Sequence, residues 1–255
     1  MPVPAQNQQY ENFIIRYKQN THGGFDYESD ENFQIVNDLF GILYVPMQKV
    51  PELELSSYSY SSIPRCYTYM DTGALSTSGV TGLHNHPYLK LQGKGTLVAV
   101  IDSGIDYLHP AFHNGVQSKI FSIWDQTLEG GADGRIPFGR EFGRQQIEQA
   151  LASENPWEIV PSSDTNGHGT RSAATAAGYR IEKDNFCGAA PEAEIVIVKL
   201  KQAKNYLRDF YLLPRDIDIF QEDDIMLAIS YVLFIAQEQQ MPLSICIGLG
   251  TSMGA

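Results

Sequence analysis

The stretch Leu97-Val98-Ala99-Val100-Ile101 has no polar position and stops at a single acid, Asp102. A strand with one solvated face alternates apolar and polar residues. A strand without alternation is buried on both faces, as in a parallel sheet covered by helices. Gly104 permits a sharp turn just past the acid. In open parallel sheets the chemistry gathers beyond the carboxyl ends of the strands, which is where this pattern puts Asp102.

Two more apolar runs repeat the theme, Ala193 to Leu200 and Pro242 to Ile247, and each is read as a buried strand. Between the first and second strands, His168 opens the small-residue run Thr170 to Gly178, expected to be a tightly packed, buried helix. Between the second and third, Asp224 to Gln239 is apolar on most faces and reads as a helix capped by Asp223 or Asp224. Strand, helix, strand, helix, strand implies parallel strands with right-handed crossovers. The long mixed segment Val116 to Ser163 holds a strand at Ile120 to Trp124, a turn-rich loop at Gly130 to Gly139 and helical spacing across Arg144 to Ser153. It is expected on the surface.

Residues 1–73 read differently, as a small α+β unit. Asn12 to Tyr17 is a strand pattern, and Lys18 to Asn32 reads as a loop. Phe33 to Val36 and Phe40 to Val45 form a hairpin around Asn37-Asp38. Val50 to Ser57 suggests a helical turn or two, the Ser/Tyr cluster from Ser56 to Ser62 a solvated loop, and Ile63 to Met70 a last strand. Asp71-Thr72-Gly73 looks like a boundary.

Bulk properties narrow the function classes. A net charge of −12 over 255 residues argues against nucleic-acid binding, which needs a basic face. No apolar run approaches transmembrane length, so no membrane partner is expected. The N-terminal stretch Met1 to Asn12 is polar, unlike a secretory signal. Cys66, Cys187 and Cys246 are far apart and odd in number, so neither a zinc spacing nor a disulfide framework follows. Together these suggest a reducing interior compartment.

The chemistry turns on Gly167-His168-Gly169-Thr170 together with Asp102. An acid at a strand end alone is usually a turn residue, and a lone His is usually structural. Their conjunction, with glycines clearing space around the ring, suits a general base oriented by a carboxylate. Asp164 either lines the cleft near His168 or ends a turn. His84-x-His86 with His109 and His113 is a weak metal pattern, since the first two lie in a Pro-containing loop. The acids from Asp216 to Asp224 lack the EF-hand spacing and read as a solvated face capping the next helix. No metal or cofactor is expected.

At these residues a family resemblance becomes specific. Val98 to Asp106 followed by His109-Pro110 is similar to the Asp block of subtilases, subtilisin-like serine proteases. Asp164 to Thr170 resembles their His block, and Gly188 to Glu194 their next core segment. The resemblance covers residues 74–255. It implies an α/β fold, a subtilisin-like parallel sheet with flanking helices, incomplete in this chain. It implies that residues 1–73 are a small α+β propeptide-like domain whose last strand, Ile63 to Gly73, occupies the substrate cleft, with cleavage near Gly73–Ala74. It also implies a polypeptide substrate, with His168 as general base and Asp102 as its orienting acid. The pattern is most like clostridial germination-type subtilases, which implies a cytoplasmic or intra-spore location.

The departures matter. Ser172 stands where the family has an apolar residue, and Ala174 where it often has Gly. Ala111 replaces a calcium-binding Asp, so that site is not expected. Gly250-Thr251-Ser252-Met253 mimics the nucleophile block, but it follows His168 too closely and lacks the helix that should come after. Leu243 to Gly250 instead resembles the strand leading to the substrate-binding segment, with Gly248, Leu249 and Gly250 pairing with substrate backbone. The nucleophilic Ser is then expected outside this chain, leaving it inactive alone, with an uncovered sheet edge and poor solubility. The alternative is a non-catalytic subtilase-like binding or signalling module.

Overall fold

The computed structural model describes residues 4–16, 32–50, 59–69, 91–130, 135–184 and 186–251. The chain begins with β1 (Tyr10–Arg16), β2 (Phe33–Ile35) and β3 (Phe40–Pro46), which form an antiparallel sheet in the order β1-β3-β2. The expected hairpin is β2–β3. Asn37 shapes its turn, Oδ1 accepting from Leu39 N at 2.9 Å and Phe40 N at 3.0 Å. After a short 3-10 turn at Tyr60–Ser62 comes β4 (Cys66–Tyr69).

The body follows: β5 (Leu97–Asp102), the two-residue strands β6 (His113–Asn114) and β7 (Gln117–Ser118), β8 (Ile120–Asp125) and β9 (Arg140–Gly143). Helices α1 (Arg144–Leu151), α2 (Pro156–Ile159) and α3 (His168–Ala177) lead to β10 (Glu194–Lys199). Then come α4 (Asn205–Phe210), β11 (Phe220–Gln221), α5 (Glu222–Gln239), β12 (Leu243–Ile247) and β13 (Leu249–Gly250).

The main sheet has the order β12-β5-β10-β8-β9. The first four strands are parallel and β9 is antiparallel to β8. The period-2 rule divides the apolar runs between two cores. Leu97, Ala99, Ile101, Val196 and Val198 pack on one face with Leu227, Ala228, Tyr231, Val232 and Ile235 of α5. Val98, Val100, Ile195 and Ile197 pack on the other with Ala173 and Ala177 of α3 and Ile147 and Ala150 of α1. The central positions of β5 and β10 are thus all apolar because each of their faces meets a helix. The N-terminal sheet adds Val36, Ile42 and Tyr44 to the α5 side, and Ser230 of α5 donates to the Val36 carbonyl at 2.7 Å.

Three expectations are corrected. The segment Val116 to Ser163 is not a surface insert. Its strand β8 lies inside the sheet, with Ile120, Ile123 and Trp124 fully buried. Trp124 Nε1 donates to the Phe138 carbonyl at 2.8 Å, folding the end of the turn-rich loop onto the core. Strand β12 is an edge strand rather than a buried one. It pairs only with β5 in this sheet, so its side chains are half-buried or exposed. Neither Asp223 nor Asp224 caps α5. The N-cap is Gln221, and both acids lie in the first turn, fully buried. The anticipated solvated acidic face holds only for the earlier part of that run, where Asp216 is exposed.

Most of the loop Lys18 to Asn32, the helical turn after Val50, the boundary at Asp71 to Gly73, the cleavage position Gly73–Ala74, and His84, His86 and Ser252 lie outside the described residues. No helix among the described residues is long and apolar enough to cross a membrane.

Candidate active site

Asp102 is the last residue of β5, in the interior of the sheet, and is 1% exposed. His168 is the first residue of α3. The fold therefore brings a strand's carboxyl end to a helix's amino end. His168 Nδ1 lies 2.7 Å from Asp102 Oδ1. An ionised carboxylate only accepts, so Nδ1 carries the proton and Nε2 is the ring's basic nitrogen. Asp102 Oδ1 also accepts from Ser103 N at 2.7 Å.

The two glycines around His168 serve different ends. Gly167, with φ +76°, makes the left-handed turn into α3. Gly169 lets the helix touch the chain after β5, since a Cβ there would lie 2.2 Å from the Gly104 carbonyl oxygen. It fixes the distance between helix and strand rather than clearing space around the ring.

Asp164 ties the arrangement together. Its Oδ1 accepts from Ser103 Oγ at 2.8 Å and Gly167 N at 3.1 Å. Its Oδ2 accepts from Thr170 N at 2.8 Å and Thr170 Oγ1 at 2.6 Å. Burial pushes the pKa of this carboxyl up, but the hydrogen bonds from Thr170, Ser103 and Gly167 outweigh it, and the net pKa lies below the ordinary Asp value. Both oxygens are thus engaged within the scaffold. Of the two readings left open by the sequence, the geometry favours a turn-and-cap role over substrate contact. Three partners that the sequence reading passed over complete the scaffold. Ser103 Oγ accepts from Gly169 N at 3.0 Å, Thr170 Oγ1 from Asp106 N at 2.9 Å, and Asn166 Oδ1 from His168 N at 2.8 Å. Their signal was present, since each sits within or beside the two motifs.

Gly248 joins β12 to β13. A Cβ at this position would lie 2.9 Å from Asp102 Oδ2 and 3.0 Å from His168 Cε1. The glycine is needed by the acid–base pair itself, not only for the approach of another backbone. Leu249 is buried and Gly250 half-buried. As β13 they pair antiparallel with β4 of the N-terminal region, Leu249 opposite Tyr69 and Gly250 opposite Thr68. On its other edge β4 pairs antiparallel with β11, Phe220 opposite Tyr67 and Gln221 opposite Cys66. An extended segment thus lies between two strands of the body, one of which follows directly on Gly248.

Among the described residues no group of three or more His, Cys, Asp or Glu could hold a metal ion. His109 Nδ1 accepts from Ala111 N at 3.2 Å and His113 Nε2 meets the Leu108 carbonyl at 2.9 Å, so these rings serve local turns.

Comparison with known proteins places this geometry. A family model described as the subtilase family, peptidase S8, matches residues 93–211. The Arabidopsis thaliana subtilisin-like protease SBT1.4 is 30% identical over 125 residues, 42% of this chain and 16% of that protein. Subtilisin-like protease SBT2.1 from the same plant is 27% identical over 127 residues, 42% of this chain and 15% of that protein. The structure of the Clostridium perfringens CspB protease superposes with a TM-score of 0.55 at 28% identity, covering 69% of this chain and 32% of that one. The chain therefore spans about a third or less of each of these relatives.

Proposed function

Residues 93–211 belong to the subtilase family, and on that premise we propose that the chain carries the acid–base part of a serine endopeptidase. In this reading His168 Nε2 takes the proton of a serine hydroxyl as it attacks a peptide carbonyl, then returns it to the leaving amine. Asp102 holds the tautomer and stabilises the imidazolium. Gly248, Leu249 and Gly250 align the polypeptide substrate by backbone pairing. The observation that carries the proposal is the 2.7 Å contact of His168 Nδ1 with Asp102 Oδ1, made where a sheet strand ends and a helix begins.

The N-terminal region acts as the protein's own propeptide. Support comes from β4, which fills the space between β11 and β13 as a bound peptide would. Leu249, the partner of Tyr69, adjoins Gly248 beside His168. Ser252 is not the nucleophile in this reading, because the residues just before it form the substrate-pairing strand. A fluorophosphonate probe, with the labelled site mapped by mass spectrometry, tests both points. The protease containing this chain is expected to label at a serine other than Ser252, and His168→Ala to abolish the reaction. A label on Ser252 refutes the placement of the nucleophile, and labelling unaffected by His168→Ala refutes the role of the base.

A further inference from the structure

We propose that Ser172 is a positioning residue for the acid–base pair, its hydroxyl donating to Asp102 Oδ2. The inference deepens the proposed function and rests on Asp102–His168 being the acid–base pair. Ser172 follows His168 by one turn of α3 and so lies on the same side of the helix. It is 4% exposed, and its Oγ has no hydrogen-bond partner among the described residues. A mid-helix serine usually bonds back to the carbonyl four residues earlier, and this one does not. The other residues that α3 buries in the core are alanines, Ala173 and Ala177. A hydroxyl in such a place is costly unless it is used.

Asp102 presents the matching deficit. Oδ1 accepts from His168 Nδ1 and Ser103 N, whereas Oδ2 is buried with no partner among the described residues. A carboxylate oxygen left alone in a dry site is among the most expensive acceptors to leave unsatisfied. The donor and the acceptor border the same place. The point where Gly248 would carry a Cβ is 2.9 Å from Asp102 Oδ2 and 3.4 Å from Ser172 Oγ, with His168 Cε1 at 3.0 Å. A side chain at Gly248 would press on both the hydroxyl and the carboxylate. Serine at 172 and glycine at 248 therefore act together. Rotation about the Cα–Cβ bond of Ser172 carries its hydroxyl toward Oδ2. The bond so formed fixes the carboxylate plane and takes up part of the carboxylate charge, which tempers Oδ1 as the acceptor from His168 Nδ1–H. Ser172 acts through Asp102 and touches no substrate.

The test reads the His168–Asp102 hydrogen bond without requiring turnover, so it can fail while the peptidase proposal stands. The proton resonance of His168 Nδ1–H is recorded by NMR on the full chain for the wild type, Ser172→Ala and Ser172→Thr. Removing the donor leaves the carboxylate a stronger acceptor toward His168. The signal is therefore expected to move downfield in Ser172→Ala and to return in Ser172→Thr. A signal in Ser172→Ala that stays in place or moves upfield overturns the proposal, as does failure of Thr to restore it. Thermal melting supplies a second reading with opposite signs. If the hydroxyl serves Asp102, Ser172→Ala lowers Tm; if it is an unused buried polar group, the substitution raises Tm, which also overturns the proposal.

Discussion

Two clusters of buried charge in this molecule differ in what they leave open. The first is Asp102–His168, with Oδ2 of the acid unpaired and a glycine beside it. The second lies between the N-terminal sheet and the body. Lys204 Nζ donates to the carbonyls of Pro4 at 2.9 Å and Tyr10 at 3.1 Å and to Asn12 Oδ1 at 2.6 Å. Asp223 accepts from Asn12 Nδ2 at 2.5 Å and Gln221 Nε2 at 2.9 Å, while Lys201 meets Asp224 at 2.5 Å. Burial pushes Lys204 down to about 7, helped by the nearby charge of Lys201. Burial likewise pushes Asp224 up to about 7, against the pull of Lys201. Where the lysines meet several acceptors and, among the described residues, only a peripheral oxygen such as Glu11 Oε2 is left over, buried charge holds two parts of a chain in one arrangement. Where the pair is left partly unsatisfied next to an open backbone, it is available for chemistry.

The sharpest way to break this comparison is to neutralise one cluster and read the other. Under the proposed function, Asp102→Asn is expected to cut the rate of peptide cleavage by about 10⁴-fold, because the imidazole loses its fixed tautomer. Thermal stability and the protection of β1 in hydrogen exchange should stay near the wild type. Collapse of that protection would show that the two clusters are not independent.

The converse substitution is Lys204→Met. It removes the cation from three acceptors and leaves Asp223 and Asp224 buried with less compensation. A cost of roughly 3–5 kcal/mol is expected, measured by chemical denaturation. Hydrogen exchange should rise first in β1 and β3, while the His168 Nδ1–H resonance stays in place. A loss under about 1 kcal/mol would put this lysine among surface pairs instead.

The two clusters also differ in how far they could be read from the sequence. Asp102 and His168 lie in short contiguous motifs whose neighbours Ser103, Gly169 and Thr170 carry their own support. The parallel strands were legible for a similar reason, since an unbroken apolar run has few other uses. The second cluster joins residues about two hundred positions apart, Asn12 with Lys204 and Asp223. From the sequence Asp223 and Asp224 continue an acidic stretch, and a solvated face is the ordinary reading of that. Their partners lie far off in the sequence or on another element, Asn12 for Asp223 and Lys201 for Asp224. The place of β12 beside β5 was equally hidden, because an apolar run fixes a strand's type but not its neighbours in the sheet.

Gly248→Ala sharpens the boundary of the first cluster. The added methyl would lie at 2.9 Å from Asp102 Oδ2 and 3.0 Å from His168 Cε1, so the pair or the β12–β13 connection must move. A displacement on the order of 1 Å at a reacting group costs about 10²-fold in rate. The expected outcome is that loss in peptide cleavage with the second cluster intact by hydrogen exchange. Unchanged kinetics would mean that the backbone yields without disturbing His168.

The smallest expected effect concerns Asp164, which touches neither cluster's charges but fixes the start of α3. Asp164→Ala removes the acceptor for Thr170 N, Thr170 Oγ1, Gly167 N and Ser103 Oγ. Loss of such a cap costs about 1–2 kcal/mol. The loss should depend on pH with a definite sign. The folded-state pKa of Asp164 is depressed, so the unfolded chain binds its proton first as pH falls. The stabilisation is therefore fully present above the unfolded value near 4 and fades as pH drops through the lower folded value. Denaturation curves of wild type and Asp164→Ala should differ by a constant amount above about pH 5 and converge in more acidic solution. A difference that persists unchanged into strong acid would mean that Asp164 supports the helix by shape rather than by charge. The scaffold around His168 would then be less like the ionic interface than its hydrogen bonds imply.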